Sequence, residues 1–154
     1  MNEIIHILHL LAATTWAGGN LFFALILLPA MARSPAAEAS ALFDRIGPAS
    51  GLVMGVSGVL VLVTGPLRAW SGGGIPSLGA LGSPYGLWVI AAFVIVVAVS
   101  GFDGAGRARL RRSFDDPSTY PTVAGGIARR TAWVTAGGMT LLILIMALLG
   151  LGLY

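Results

Sequence analysis

Four runs of residues that water would reject dominate this chain, at roughly 4–31, 48–70, 84–102 and 131–153. A helix needs about 20 apolar residues to cross the hydrocarbon core of a bilayer, and each run approaches or exceeds that length. Backbone N–H and C=O groups in lipid must pair internally, so each run is expected to be a helix; alternating strands of about 10 residues, the mark of a membrane barrel, are absent. Only 10% of the residues are charged, against about 25% in a soluble domain. The expected fold is all-α: a polytopic membrane four-helix bundle, with residues 1–154 forming a single transmembrane domain.

Charge orients the bundle. The loops after the first and third helices hold Arg33, Arg45, Arg107, Arg109, Arg111, Arg112, Arg129 and Arg130, whereas the other side holds only Arg68. Cytoplasmic loops collect Lys and Arg, so both termini are expected outside. The first run lacks a basic leader and carries Glu3, which predicts a mature helix rather than a cleaved signal. Asp103, at the end of the third helix, is expected to be solvated or paired with Arg107.

Between the helices, ARSPAAEASALFDRIGP suggests a short interfacial helix and SGGGIPSLGALGSP a flexible turn. Pro48, Pro66 and Pro84 are expected near helix ends, where a missing N–H costs little, and Pro29 is a candidate kink. Gly18, Gly19, Gly51, Gly55, Gly58, Gly137 and Gly138 fall inside helices, where small residues let backbones approach. Trp70, Trp88 and Tyr85 are expected at the outer interface, with Trp133 at the inner one.

Several classes of chemistry are excluded. There is no Cys, hence no disulfide and no thiolate metal site. All nine basic residues are Arg, so no Lys is present as base or Schiff-base former. No Ser/His/Asp set, HExxH, P-loop or paired intramembrane carboxylates occur, and no catalytic residue is assigned. The net charge is +3. The RARLRR cluster abuts a membrane helix, so it reads as a topology signal that touches anionic headgroups rather than nucleic acid.

The first helix carries the protein's two histidines. At about 100° per residue, His6, His9, Ala13, Trp16 and Asn20 share an arc of about 80°. Polar residues in membrane helices face the bundle interior or a cavity, which puts His6 and His9 at an outer polar entrance and Asn20 near the midplane. At i and i+3 the two imidazoles can ligate one metal ion jointly, and neutral imidazole suits copper, zinc and iron. One histidine could instead be an axial haem ligand, or both could sit wetted at the headgroups or handle protons. Met146, Met139, Met54 and Met31 are expected at successive depths from outside to inside. They form a candidate copper path, since thioethers favour Cu(I), although Met is also an ordinary gap-filler.

HLLAATTWAGGNLFFALILLPAM, from His9 to Met31, resembles the opening helix of CopD-like membrane proteins: His-Leu-Leu, then Trp-x-Gly-Gly, then an aliphatic run ending Leu-Pro-Ala. FDRIGPASGLVMGVSGVLVLVTGPLRAW, from Phe43 to Trp70, is similar to the family's second helix. The resemblance covers about the first half of the chain. It implies a four-helix bundle linked to copper import, often assembled into larger units. The related HemJ-type branch is haem-associated and relies on a first-helix His, which His9 matches, and on a third-helix Lys. The third run here has neither Lys nor His, which argues against porphyrinogen oxidase activity, and Asn20 is a further departure.

Three expectations follow. The leading one is copper handling at the bacterial inner (cytoplasmic) membrane, with His6 and His9 as ligands, Trp16 packed beside the site and Asn20 a deeper contact. The second is a haem-b-binding redox protein with His9 as axial ligand. The third is a non-catalytic small subunit or assembly factor of a larger membrane complex. The expected partners are the lipid bilayer and a homo-oligomer or larger complex, with no nucleic acid.

Overall fold

The computed structural model describes residues 2–153. Helix α1 (Asn2–Phe22) runs through a π turn (Phe23–Leu27) into α2 (Leu28–Ala32). Helix α3 (Ala36–Ser71) follows, then a 3-10 turn (Leu78–Gly82), α4 (Pro84–Ser113) and α5 (Tyr120–Leu151). No strand occurs among the described residues. The segments Glu3–Ala32, Ala36–Ser71, Pro84–Ser113 and Tyr120–Leu151 are each long and apolar enough to cross a membrane. Helix α1 packs on α3, α3 on α4 and α4 on α5, and α5 closes the ring against α1 and α2. Leu11, Leu52, Val59, Val94 and Ile143 point outward and remain exposed. A lipid-facing bundle requires that pattern, because acyl chains are as apolar as the core.

Side chains meeting glycines hold α1 against α3. Trp16 lies over Gly58, where an added Cβ would stand 3.1 Å from the indole Nε1. His9 lies over Gly65, 3.4 Å from such a Cβ, and Met54 of α3 fills the space over Gly19. His9 and Trp16 are seven residues apart, as are Gly58 and Gly65. The two antiparallel helices therefore interlock at a coiled-coil period. Helix α5 repeats the device against α4, with Val99 over Gly138.

The core has two parts. Ala12, Trp16, Val61, Val96, Met139 and Ile145 fill the half nearer the histidines. Phe23, Leu28, Met31, Leu110, Tyr120 and Ala124 fill the arginine-rich half. There the Tyr120 hydroxyl donates to the Met31 carbonyl at 2.7 Å. Phe114 bridges Phe43 and Tyr120, at centroid distances of 5.7 and 5.5 Å.

The helix boundaries correct the expectations above. Helix α3 starts at Ala36 rather than Pro48, so the anticipated interfacial helix is the first part of one 36-residue helix, and Pro48 and Pro66 lie inside it. Ala36 and Ala39 are buried in the second core, which explains the continuation. Helix α4 runs on to Ser113 and α5 begins at Tyr120, leaving only residues 114–119 of the anticipated long loop. Charge ends an apolar window without ending a helix: Arg is a good helix former, and Arg111 and Arg112 in the last turn of α4 favour its dipole. In the short loop, hydrogen bonds from Ser118 and then Thr119 hold the Asp116 carboxyl below the usual carboxylate range. The segment expected as a flexible turn is partly anchored: Ile75 is buried and its N–H reaches the Ala69 carbonyl at 3.0 Å.

Pro29 does perturb the first span. Its ring collides with the carbonyl four residues back and it offers no N–H. The π turn lies just ahead of it, with the Leu28 N–H donating to the Phe23 carbonyl five residues earlier. Such one-turn widenings are a recognised way for a helix to absorb a misfit.

The glycine seam predicts a contrast between two single substitutions. Gly58→Ala, which crowds Trp16, should destabilise the bundle by about 1–3 kcal/mol. Gly55→Ala meets nothing within 4 Å and should be neutral or stabilising by up to about 1 kcal/mol. Thermal unfolding of both variants in one detergent checks this, and equal effects would refute the seam.

Candidate functional site

His9 is buried between α1 and α3, with its Nδ1 2.8 Å from the Thr64 Oγ1. Thr64 has a single hydroxyl proton, which it donates to the Leu60 carbonyl at 2.5 Å. The hydroxyl oxygen is then left to accept, so the hydrogen-bond network assigns the proton of the neutral ring to Nδ1. The lone pair therefore sits on Nε2. Histidines that bind metals have the same arrangement, with one ring N–H donated to a fixed acceptor and the other nitrogen free for the ligand.

His9 lines a cavity of about 490 Å³ at the histidine end of the bundle. The wall is mainly apolar, including Trp16, Val61, Phe93, Val96 and Leu142, and is broken by Arg68 and Tyr85. Met139 and Met146 line the same space. The volume lies in the ~300–1,000 Å³ range of sites for small organic ligands and cofactors.

The other candidates lie apart from this cavity. His6 does not line it; its Nδ1 is buried with no hydrogen-bond partner among the described residues. Asn20 is buried, but its Nδ2 donates to the Trp16 carbonyl of its own helix at 2.8 Å. Met54 fills the space over Gly19, and Met31 belongs to the opposite core. Thus His9, Trp16, Met139 and Met146 come together, while His6, Asn20, Met54 and Met31 do not join them. Among the described residues no group of three or more His, Cys, Asp or Glu is placed to hold a metal ion.

The sequence reading missed Arg68 and Tyr85 as wall residues. A lone Arg at the end of an apolar run is a usable signal, since intramembrane charges face cavities. Tyr85 offers no comparable signal, because an aromatic belt accounts for it equally well.

A second polar locus lies deeper, between α4 and α5. Asp103 is buried rather than solvated, and its Oδ1 accepts a 2.9 Å hydrogen bond from the fully buried Thr135 hydroxyl. The Arg107 guanidinium, one of the two expected alternatives to solvation or pairing, acts on this carboxylate through its charge and lies over the Phe23 ring, 3.6 Å from the centroid. That is a cation–π contact in a desolvated setting, worth about 2 kcal/mol.

No protein family, curated protein or solved structure matches this chain.

Replacing Thr135 by the isosteric Val leaves a buried carboxyl oxygen without its donor. The expected cost is about 1–3 kcal/mol, read as a lower unfolding midpoint. Thr140→Val, at an exposed position, should leave the midpoint unchanged.

Proposed function

We propose that this multi-pass membrane protein binds haem b in the histidine-end cavity, with His9 Nε2 as an axial ligand. In this reading the cavity opens toward the outer face of a bacterial inner membrane, as the arginine distribution implies. The observation that carries the reading is the His9–Thr64–Leu60 chain. It leaves an unprotonated imidazole nitrogen on His9, a residue that lines a cavity sized for a cofactor. The surroundings suit the group: apolar walls for the macrocycle, Arg68 for its carboxylate side chains, and Trp16 packed beside the ring. Met139 and Met146 are the thioethers available as a second ligand. Bound there, haem would supply one-electron chemistry whose potential depends on axial ligands and burial. The likeness of His9 to the first-helix His of HemJ-type proteins supports the same assignment, whereas the CopD-like resemblance speaks for copper.

Copper handling is the second reading, and one observation favours it: His9 shares its cavity with two thioethers, a soft donor set suited to Cu(I). In this version the ligands are His9, Met139 and Met146 rather than the His6–His9 pair, because His6 lies off the cavity wall.

The decisive experiment is an absorption spectrum of the detergent-purified protein, oxidised and then reduced with dithionite. A Soret band with α/β peaks that sharpen on reduction, absent in His9→Ala, is the expected result. Thr64→Val should weaken haem retention roughly 10–100-fold, as loss of a partner that orients a ligand does. A flat spectrum from protein supplied with haem during expression would sink the haem reading. Stoichiometric copper lost in both His9→Ala and Met139→Leu would then support the second, whereas neither cofactor would leave a packing subunit.

A further inference from the structure

At the opposite end of the bundle, α4 and α5 flank a groove of about 610 Å³. Arg109 and Arg112 line it from α4, and Arg129 and Arg130 from α5. Gly106 and Gly126 contribute no side chains to it, and Phe102 makes its deep end apolar, while Ile127 adds apolar surface at the level of the arginines. From Phe102 to Arg112 the wall climbs about 15 Å at 1.5 Å per residue. It therefore runs from hydrocarbon depth to the headgroup region.

None of the four guanidinium groups is paired with a carboxylate among the described residues. The one acid on the groove, Asp116, is engaged elsewhere. It accepts from the Ser118 N–H at 3.1 Å, the Ser118 hydroxyl at 2.6 Å and the Thr119 hydroxyl at 2.9 Å. Four arginines against one carboxylate leave the groove with an excess of positive charge, and with the apolar Phe102 at its deep end this defines an amphipathic anion.

We propose that this groove binds one anionic phospholipid, its phosphate held by the α4 and α5 arginines and its acyl chain laid past Phe102 toward the bundle's middle. Charge complementarity selects the phosphate. The apolar deep end selects a lipid over a soluble phosphate, which would use only the rim. Basic clefts between membrane helices are established sites for acidic headgroups. This assignment does not depend on what occupies the histidine-end cavity.

Native mass spectrometry of the full chain in detergent tests it, with phosphatidylglycerol and phosphatidylcholine supplied in equal amounts. One retained phosphatidylglycerol per chain is expected, persisting in excess inorganic phosphate. Each guanidinium near an acidic surface contributes a factor of roughly 5, so Arg109→Gln with Arg130→Gln should weaken retention about 30-fold. Arg33→Gln, outside the groove, should not weaken it. Gly126→Leu keeps every charge and fills open space, since its Cβ meets nothing within 4 Å; it should also displace the lipid. This variant decides the matter if the double variant fails to fold. Equal retention of both lipids, competition by inorganic phosphate, or retention unaffected by Gly126→Leu would overturn the proposal.

Discussion

The close approach of α1 to α3 is the contact on which the rest of the architecture depends. In lipid, apolar side chains gain nothing by leaving the solvent, so helices associate through surface fit and internal hydrogen bonds. Trp16 over Gly58 and His9 over Gly65 supply the fit. The same approach brings Thr64 within 2.8 Å of His9. A wider seam would lose the packing and the hydrogen bond together, and the His9 ring would no longer be held at the cavity wall.

Threonine resolves both buried polar positions, in different ways. Thr64 passes its proton to its own helix and accepts from His9, whereas Thr135 donates its proton to Asp103. In each case the polar demand is met between two helices that also pack through glycine. Polar groups in a membrane interior otherwise carry a large desolvation cost. The apolar layer of Trp16, Val96, Val99 and Met139 separates the two loci, so each can serve a chemistry of its own.

Number of spans and helical class were legible in the residues, because apolar length is a property of local sequence. Of the glycines expected at close approaches, Gly19, Gly58 and Gly138 are packed, whereas Gly18, Gly51, Gly55 and Gly137 meet nothing within 4 Å. Helix ends were not legible. Hydropathy marks where lipid stops, and α4 continues past that point on Arg-rich turns, while α3 starts twelve residues before it. His9 and Trp16 could be placed on an inward face from periodicity alone. The cavity could not be foreseen, since it is assembled from α1, α3, α4 and α5 and depends on their relative rotation. For the same reason His6 and Asn20, within the same arc of α1 as His9, lie off its wall. An arc shared on a wheel does not fix the level at which neighbouring helices part.

The widened turn at Phe23–Leu27 carries a consequence for the phase of the first span. Counting at about 100° per residue, Trp16 and Asn20 stay within about 20° of His9, but an unbroken helix would swing Leu28 about 100° away from that stripe. The one additional residue in the π turn winds the segment back by about 100°, which returns Leu28 to the direction of His9, and Leu28 is buried. The turn therefore works as a vernier between two periodicities: it lets one strand of sequence stay in step with α3 at one end and with α5 at the other.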